Sequence, residues 1–178
     1  SELDFSNLRK QGRTNIFTQS DTKNIIGFFG QDLIHLEGYR QVLLDIGHIA
    51  NDSQDSILVY KPHPRESKFS VNETLRILKS VCAIPIFVES TLVELLLASV
   101  DVVISCFSTV SLDAAYMMCN DGAPAVSIVC ADYPAEVSSY WRFHTGLNEF
   151  PLVSLGVALS AQDKTSLRAA ILTGLTLA

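Results

Sequence analysis

The stretch from Asp101 to Ala115 reads Asp-Val-Val-Ile-Ser-Cys-Phe-Ser-Thr-Val-Ser-Leu-Asp-Ala-Ala and contains a complete strand-to-helix transition. Its start, Val102 to Ile104, is apolar and β-branched, which is typical of a strand buried on both faces of a sheet. A hydroxyl-rich turn from Ser105 to Thr109 follows, and the apolar residues after it have helical spacing. Backbone N–H groups at the start of such a helix can be capped by Ser or Thr, or can bind a phosphate.

The rest of the chain alternates between short apolar runs and helical patterns. Strands are predicted at 24–30, 57–60, 85–88, 102–104, 125–129 and 152–157. Helices are predicted at 39–49, from 70 or 72 to 82, and at 92–98, 110–118, 135–144 and 160–177. This alternation predicts an α/β fold: a Rossmann-like, doubly wound, mostly parallel sheet of about six strands with helices on both faces. Right-handed crossovers then give the strand order 3-2-1-4-5-6.

Length and composition predict one domain, 24–178, preceded by a polar N-terminal arm or linker over 1–23. The net charge of -6 comes without a cluster of Lys and Arg, which argues against nucleic-acid binding. No apolar run has the length of a transmembrane helix, and the first residues show no basic-then-apolar signal pattern. We therefore expect a cytoplasmic protein without a transmembrane segment.

The 4 cysteines have neither zinc-binding nor CxxC spacing, so we expect small buried thiols in a reducing compartment. They are Cys82, Cys106, Cys119 and Cys130. Cys106 lies in the turn before a helix, a position that can lower the pKa of a thiol. No pair of His, Asp or Glu has metal-ligand spacing, so no bound metal is expected.

Three predicted turns meet at the carboxyl edge of the sheet, where strands one and four are neighbours in this order. They are Gly30-Gln31-Asp32, the segment Lys61 to Arg65, and the segment Ser105 to Thr109. Cationic groups on the second turn and hydroxyls on the third can bind an anion from two sides, which favours a phosphate or pyrophosphate. The candidate ligands are Lys61, His63, Pro64, Arg65, Ser105, Ser108 and Thr109.

Several of these residues also have a purely structural interpretation. Pro62 and Pro64 stiffen the loop, and His63 could simply bond a backbone carbonyl. Asp113 and Glu89 lie near helix starts, where an acidic residue stabilises the helix by interacting with its dipole. They could also contact a ribose or sugar, as could Gly30 and Gln31. The remaining histidines, His35, His48 and His144, are isolated and are interpreted as surface or core residues.

Two short motifs resemble the donor half of GT-B glycosyltransferases. One is a strand that ends in Lys-Pro-His-Pro at 61–64, and the other, about forty residues later, is Asp-Val-Val-Ile-Ser-x-x-Ser-Thr-x-x-x-Asp-Ala at 101–114. The likeness covers 24–131 and is strongest to bacterial capsule, sialic-acid and polysialic-acid transferases and to CDP-glycerol glycerophosphotransferases. UDP-N-acetylglucosamine 2-epimerases have a similar pattern. The resemblance implies that His63 and Pro64, with Ser108 and Thr109, grip the phosphate of a CMP-, CDP- or UDP-linked donor.

The resemblance also implies a partner. A GT-B enzyme has a second Rossmann-like domain that usually supplies the acceptor site and the catalytic base. Only about twenty residues precede the first predicted strand, so we expect the acceptor half to be absent from this chain and the isolated domain to be inactive. No catalytic residue is assigned, and the nucleotide-sugar of polysaccharide biosynthesis would be a substrate rather than a cofactor. The alternatives are a non-catalytic binding or assembly module, paired with a second protein or with itself as a homo-oligomer, and an epimerase-like protein.

Overall fold

The computed structural model describes residues 5–16, 24–53, 55–117 and 125–177, and the described chain contains a six-stranded parallel sheet. Its strands are β1 (Asn24–Phe29), β2 (Ser56–Lys61), β3 (Ile86–Val88), β4 (Val102–Ser105), β5 (Ser127–Ala131) and β6 (Leu159–Ala161). Their order is β3-β2-β1-β4-β5-β6, and every neighbouring pair is parallel. The predicted fold class and strand order are confirmed.

Helices cover both faces of this sheet. They are α1 (Phe5–Ile16), α2 (Glu37–Asp52), α3 (Lys68–Val81), α4 (Val93–Ser99), α5 (Val110–Ala115), α6 (Ala135–Thr145), α7 (Pro151–Ser154) and α8 (Lys164–Leu177). One core cluster joins alternate strand residues such as Ile26 and Phe28 to α2, α3, α6 and α8. The other joins Ile25 and Phe29 to α4, α5 and α7. Side chains of a strand alternate between faces, so apolar residues at successive positions supply both cores.

The first described helix lies within the predicted N-terminal arm. Helix α1 packs on α4, and Arg9 and Arg13 both form ion pairs with the buried carboxylate of Asp101. Gly12 allows the two helices to approach, because a methyl group there would lie 2.8 Å from the carbonyl oxygen of Leu95. The segment has few apolar residues, so its sequence pattern does not predict the helix, which is held by these tertiary contacts.

Three predicted boundaries are wrong in the C-terminal third. Where the sequence predicts a sixth strand at 152–157, the structure has the short helix α7, and β6 follows it at Leu159–Ala161. Pro151 stands in the first turn of α7, where its fixed φ and missing N–H are tolerated. The predicted terminal helix starts at Lys164 rather than 160, because the carboxylate of Asp163 accepts the N–H of Ser166 at 2.7 Å. Strand β5 starts at Ser127 rather than 125.

Two predicted helix starts also differ. The N-cap of α3 is Ser67, whose hydroxyl accepts the N–H of Ser70, rather than a residue at 70 or 72. Helix α4 begins at Val93 rather than 92, with Leu92 as its N-cap residue and no side-chain cap. The predicted end of the helix after β4, near Met118, lies outside the described residues. Within the described ranges, no helix combines the length and the apolar character needed to cross a bilayer.

Candidate functional site

Two neighbouring pockets open at the carboxyl edge of the sheet, around the ends of β1, β2 and β4, and His63 lines both. Each has a volume of about 260 Å³. The Ser108 pocket is lined by Gly30, Lys61, His63, Ser108, Thr109 and Asp113, among others. The Tyr140 pocket is lined by Gln31, Asp32, His63, Arg65, Tyr140 and Trp141, among others. The site therefore lies where the winding of the sheet reverses, as the strand order predicts.

Most of the predicted site residues meet in these two pockets. Seven of them line the Ser108 pocket: Gly30, Lys61, His63, Pro64, Ser108, Thr109 and Asp113. Gln31 and Arg65 line the Tyr140 pocket. In the described chain Ser105 and Glu89 line neither: the Ser105 hydroxyl is buried against that of Ser111 at 3.1 Å, and the Glu89 carboxylate accepts the hydroxyl of Thr91.

The His63 loop is fixed by Glu66, a residue that the sequence motifs do not identify. Its carboxylate accepts the backbone N–H of His63 and the hydroxyl of Tyr60, both at 2.6 Å. Burial raises the pKa of Glu66, and the two hydrogen bonds oppose that rise. Gly30 leaves room for this carboxylate, since a methyl group there would lie 2.6 Å from its Oε2. The turn is thereby attached to the ends of β1 and β2.

The imidazole of His63 has a defined tautomer. Its Nδ1 accepts the backbone N–H of Arg65 at 3.1 Å, so the proton of the neutral ring is on Nε2. Partial burial lowers the pKa of His63, the nearby Arg65 charge lowers it further, and Asp32 raises it. At neutral pH the ring therefore offers an uncharged Nε2–H donor at the boundary between the two pockets.

Lys61 is the cation of the Ser108 pocket. Its ammonium donates one hydrogen bond, at 2.6 Å, to the backbone carbonyl of Thr91 in the loop before α4. An ammonium has three N–H bonds, so two remain for a ligand. The contact with Thr91 holds a flexible side chain at the wall of the pocket, which reduces the entropy that binding would otherwise cost.

The turn after β4 is arranged differently from the prediction. The side-chain oxygen of Gln31 accepts the N–H groups of Cys106 and Phe107, at 3.2 and 3.1 Å, so these two donors are occupied. The N–H groups of Ser108 and Thr109 have no hydrogen-bond partner among the described residues, the Ser108 hydroxyl accepts the N–H of Val110 at 3.3 Å, and both residues line the Ser108 pocket. Helix α5 has only six residues and no side-chain cap, so the turn itself, rather than a helix dipole, supplies the donors.

Cys106 has the opposite pKa shift from the one predicted by its position before a helix. Complete burial raises the pKa of its thiol well above the usual value, and the neighbouring Cys130 and Asp132 raise it further. Burial likewise raises the pKa of Cys130 to about 12. Cys82, Cys106 and Cys130 are buried free thiols, as predicted, while Cys119 lies outside the described residues. A protonated, buried Cys106 is a packing residue and not a nucleophile.

Aromatic side chains from α6 form a wall of the Tyr140 pocket. Tyr140 stacks on Phe107, with ring centroids 6.1 Å apart, and lies 4.1 Å from the ring of His144. Trp141 packs on Phe107 at 5.2 Å and edge-on against Phe150 at 5.5 Å. The Nδ1 of His144 lies 2.8 Å from the carbonyl oxygen of Tyr140, which accepts its proton and leaves Nε2 available. An isolated histidine and a lone tryptophan gave no sequence signal for this cluster.

The described part of the chain contains no group of three or more His, Cys, Asp and Glu side chains arranged to hold a metal ion. The polar side chains of the two pockets include an ammonium, a guanidinium, an imidazole N–H and hydroxyls as donors, beside the carboxylates of Asp32 and Asp113 as acceptors. Such a donor set is suited to an anion and to the hydroxyl groups of a neutral ligand.

Comparison with known proteins gives a fold but no family. No protein-family model matches the chain, and no curated protein matches it. A K341M mutant of the O-GlcNAc transferase from Thermobaculum terrenum aligns with a TM-score of 0.55 and 15% identity, over 89% of this chain and 29% of that one. The chain therefore shares its six-stranded Rossmann-like fold with part of that transferase. The N-terminal domain of trehalose-6-phosphate phosphatase from Candida albicans aligns with a TM-score of 0.53 and 14% identity, over 100% of this chain and 38% of that one.

The chain thus spans well under half the length of either similar structure. At 14–15% identity the similarity shows the fold alone. What binds in the two pockets has to be argued from their side chains.

Proposed function

We propose that this chain is the donor-binding domain of a GT-B-type glycosyltransferase and binds the phosphate of a CMP-, CDP- or UDP-linked sugar in the Ser108 pocket. The observation that carries the proposal is the convergence of Lys61, His63 and the Ser108-Thr109 turn on one pocket at the carboxyl edge of β1, β2 and β4. Ligands of open α/β sheets bind at this edge, at the point where the strand order reverses. The sequence resemblance to donor domains supports the same assignment.

The pocket offers a phosphate donors from two sides. Lys61 supplies the positive charge and His63 a neutral Nε2–H, while the opposite side supplies the hydroxyls and free N–H groups of Ser108 and Thr109. Hydrogen bonds to a charged oxygen are roughly twice as strong as neutral ones, so such a set favours an anion over a neutral ligand. Asp113 is exposed at the same pocket, and we propose that its carboxylate accepts ribose hydroxyls.

Within a GT-B enzyme this domain would act together with an acceptor domain. The crevice presented here contains donors for a phosphate but no assigned catalytic base, and the GT-B architecture implies that a second domain supplies it. We therefore propose that the domain is inactive alone and functions with that partner, in cytoplasmic polysaccharide biosynthesis related to capsule, sialic-acid or glycerol-phosphate transfer.

Nucleotide binding to the full chain tests the proposal. Thermal unfolding is measured with CMP, CDP, UDP, GDP and ADP for the wild type, for His63→Ala, and for His48→Ala as a matched control on the exposed face of α2. A ligand at 100 times its Kd stabilises by about 2.7 kcal/mol, which raises the Tm of a domain of this size by roughly 5–10 °C. We expect one pyrimidine nucleotide to give this shift in the wild type and in His48→Ala, and His63→Ala to abolish it. No shift with any nucleotide, or an equal shift in His63→Ala, contradicts the proposal.

A further inference from the structure

We infer that the Tyr140 pocket binds the pyranose ring of the ligand whose phosphate occupies the Ser108 pocket. This inference rests on the proposed function, because it takes the two pockets as subsites of one nucleotide-sugar. It assigns the sugar to the loop after β1 and to the side chains of α6, and no sequence motif identifies the α6 residues. The pocket volume of about 260 Å³ equals that of about nine waters in the liquid, enough for one substituted six-membered ring.

The wall of the pocket is aromatic, which favours a ring-shaped ligand with apolar faces. The ring of Phe107 packs on Trp141 at a centroid distance of 5.2 Å and on Tyr140 at 6.1 Å, and all three residues line the pocket. Tyr140 and Trp141 are only partly buried in the described structure, so part of their surface is left for a ligand. A pyranose presents a face of C–H bonds that packs on such rings, while its hydroxyls project sideways.

The rim of the pocket provides hydrogen-bonding groups in a number suited to a polyhydroxylated ring. Gln31 uses its oxygen on the turn after β4, so its amide N–H₂ is left over, and the Nε2 of His144 is free. Asp32 and Arg65 add an acceptor and a cationic donor. A nucleobase edge has two to four polar atoms on one side, whereas a pyranose carries a larger number of hydroxyls around its circumference and can use several such groups at once.

One polar atom in the wall lacks a partner. The indole Nε1 of Trp141 is buried and has no hydrogen-bond partner among the described residues. A buried N–H without an acceptor is costly, and each such group calls for a specific explanation. Because this atom is itself inaccessible to solvent, a ligand in the pocket does not reach it in this conformation, and the groups that can contact a ligand are those of the exposed rim.

His63 joins the two subsites. It lines both pockets and its turn is fixed by Glu66, so a phosphate beside its ring on one side places the group bonded to that phosphate on the other. The glycosyl group of a nucleotide-sugar is bonded to its terminal phosphate. The same chemistry could come from an acceptor sugar, and the experiment below distinguishes the two sources.

Trp141, the only tryptophan of the chain, reports occupancy of the pocket directly. Its fluorescence is followed while glucose, N-acetylglucosamine or N-acetylneuraminic acid is added to the full chain. Calorimetry compares UDP with UDP-N-acetylglucosamine and UDP-glucose, and CMP with CMP-sialic acid. Both measurements are made on the wild type, on Tyr140→Ala, and on Tyr116→Ala, the same substitution at a tyrosine that is 84% exposed and outside the pocket.

We expect Tyr140→Ala to weaken binding of a nucleotide-sugar by about 3- to 10-fold, the value of one aromatic contact, and to leave the matching free nucleotide within twofold. Tyr116→Ala should match the wild type. Displacement of a free sugar by the nucleotide-sugar identifies the donor as its source, and simultaneous binding of both identifies the acceptor. Equal weakening of the free nucleotide would mean that the pocket holds the base, and would overturn the inference.

The two proposals fail separately. If a free nucleotide binds but Tyr140→Ala affects neither ligand, only the sugar subsite is refuted. If no nucleotide binds, the proposed function is refuted, and the free-sugar titration then decides whether the Tyr140 pocket binds a sugar. A saturable change in Trp141 emission that is weakened in Tyr140→Ala supports a sugar site. The absence of a saturable change excludes it.

Discussion

Replacing Asp101 with Ala should destabilise the protein by about 3–5 kcal/mol, the usual cost of breaking a buried ion pair by removing one partner. The carboxylate side chain is 3% exposed and bonds three donors: the guanidinium groups of Arg9 and Arg13, and the backbone N–H of Ile25 at 2.7 Å. Alanine leaves the N–H of Ile25 buried without an acceptor, which alone costs about 1–3 kcal/mol. It also leaves two arginines, 21–22% exposed, without a counter-ion.

Urea unfolding of the full chain at neutral pH measures this loss. The matched control is Asp52→Ala, which removes the partner of Arg168 in a pair whose side chains are 50% and 48% exposed, and should cost under about 1 kcal/mol. Asp101→Asn, which retains an acceptor for Ile25, should lie between the two. If Asp101→Ala and Asp52→Ala lose the same stability, the Asp101 cluster does not hold α1 to the sheet and the reasoning is refuted.

Two further predictions concern the site itself. Gln31→Ala should lower the free energy of unfolding in urea by about 1–3 kcal/mol, because the N–H groups of Cys106 and Phe107 lose their acceptor. Gln31→Glu keeps an acceptor oxygen and should recover most of that loss. Equal stability of the two variants would contradict this prediction. The second prediction is a pH dependence. Since the folded-state pKa of His63 lies below its unfolded value of about 6.5, its neutral form contributes stability above that pH, and this contribution is lost as the pH falls below it. The stability difference between wild type and His63→Ala should therefore fall between pH 8 and 5, and a constant difference would disprove the assignment.

The sheet is predictable from the sequence because its signal is local. Each central strand is a short apolar run, and a parallel sheet covered on both faces requires such runs. The strand order follows from a general rule on crossovers rather than from any particular residue. Both are confirmed by the structure.

The wrong and missed elements depend on tertiary contacts. Helix α1 has a mostly polar sequence with Gly12 in its middle, and nothing near it in sequence shows that Arg9 will meet a carboxylate 92 residues away. The segment 152–157 is mostly apolar and short, which favours a strand, yet Leu152 is buried in the core as part of a short helix that starts at Pro151. In both cases packing outweighs the local pattern.

The candidate site divides in the same way. Lys61, His63 and Ser108 were visible in sequence because strand-end turns of a doubly wound sheet face one crevice. Glu66 is three residues from His63 in sequence, but only the folded structure shows that its carboxylate accepts the backbone N–H of His63. Tyr140 lines the crevice because α6, which follows β5, brings its ring against Phe107. The sequence of α6 does not predict the direction in which this helix runs.

The rigid position of His63 decides how the two subsites can be separated by experiment. Glu66 fixes its backbone, and Gly30 lets that carboxylate approach β1, so the imidazole forms a wall common to both pockets. A substitution of His63 removes a donor from the phosphate side and a wall from the other side at once, and so cannot assign a lost affinity to either. Ser108 and Tyr140 each line one pocket alone, and their variants therefore separate the phosphate contribution from the sugar contribution.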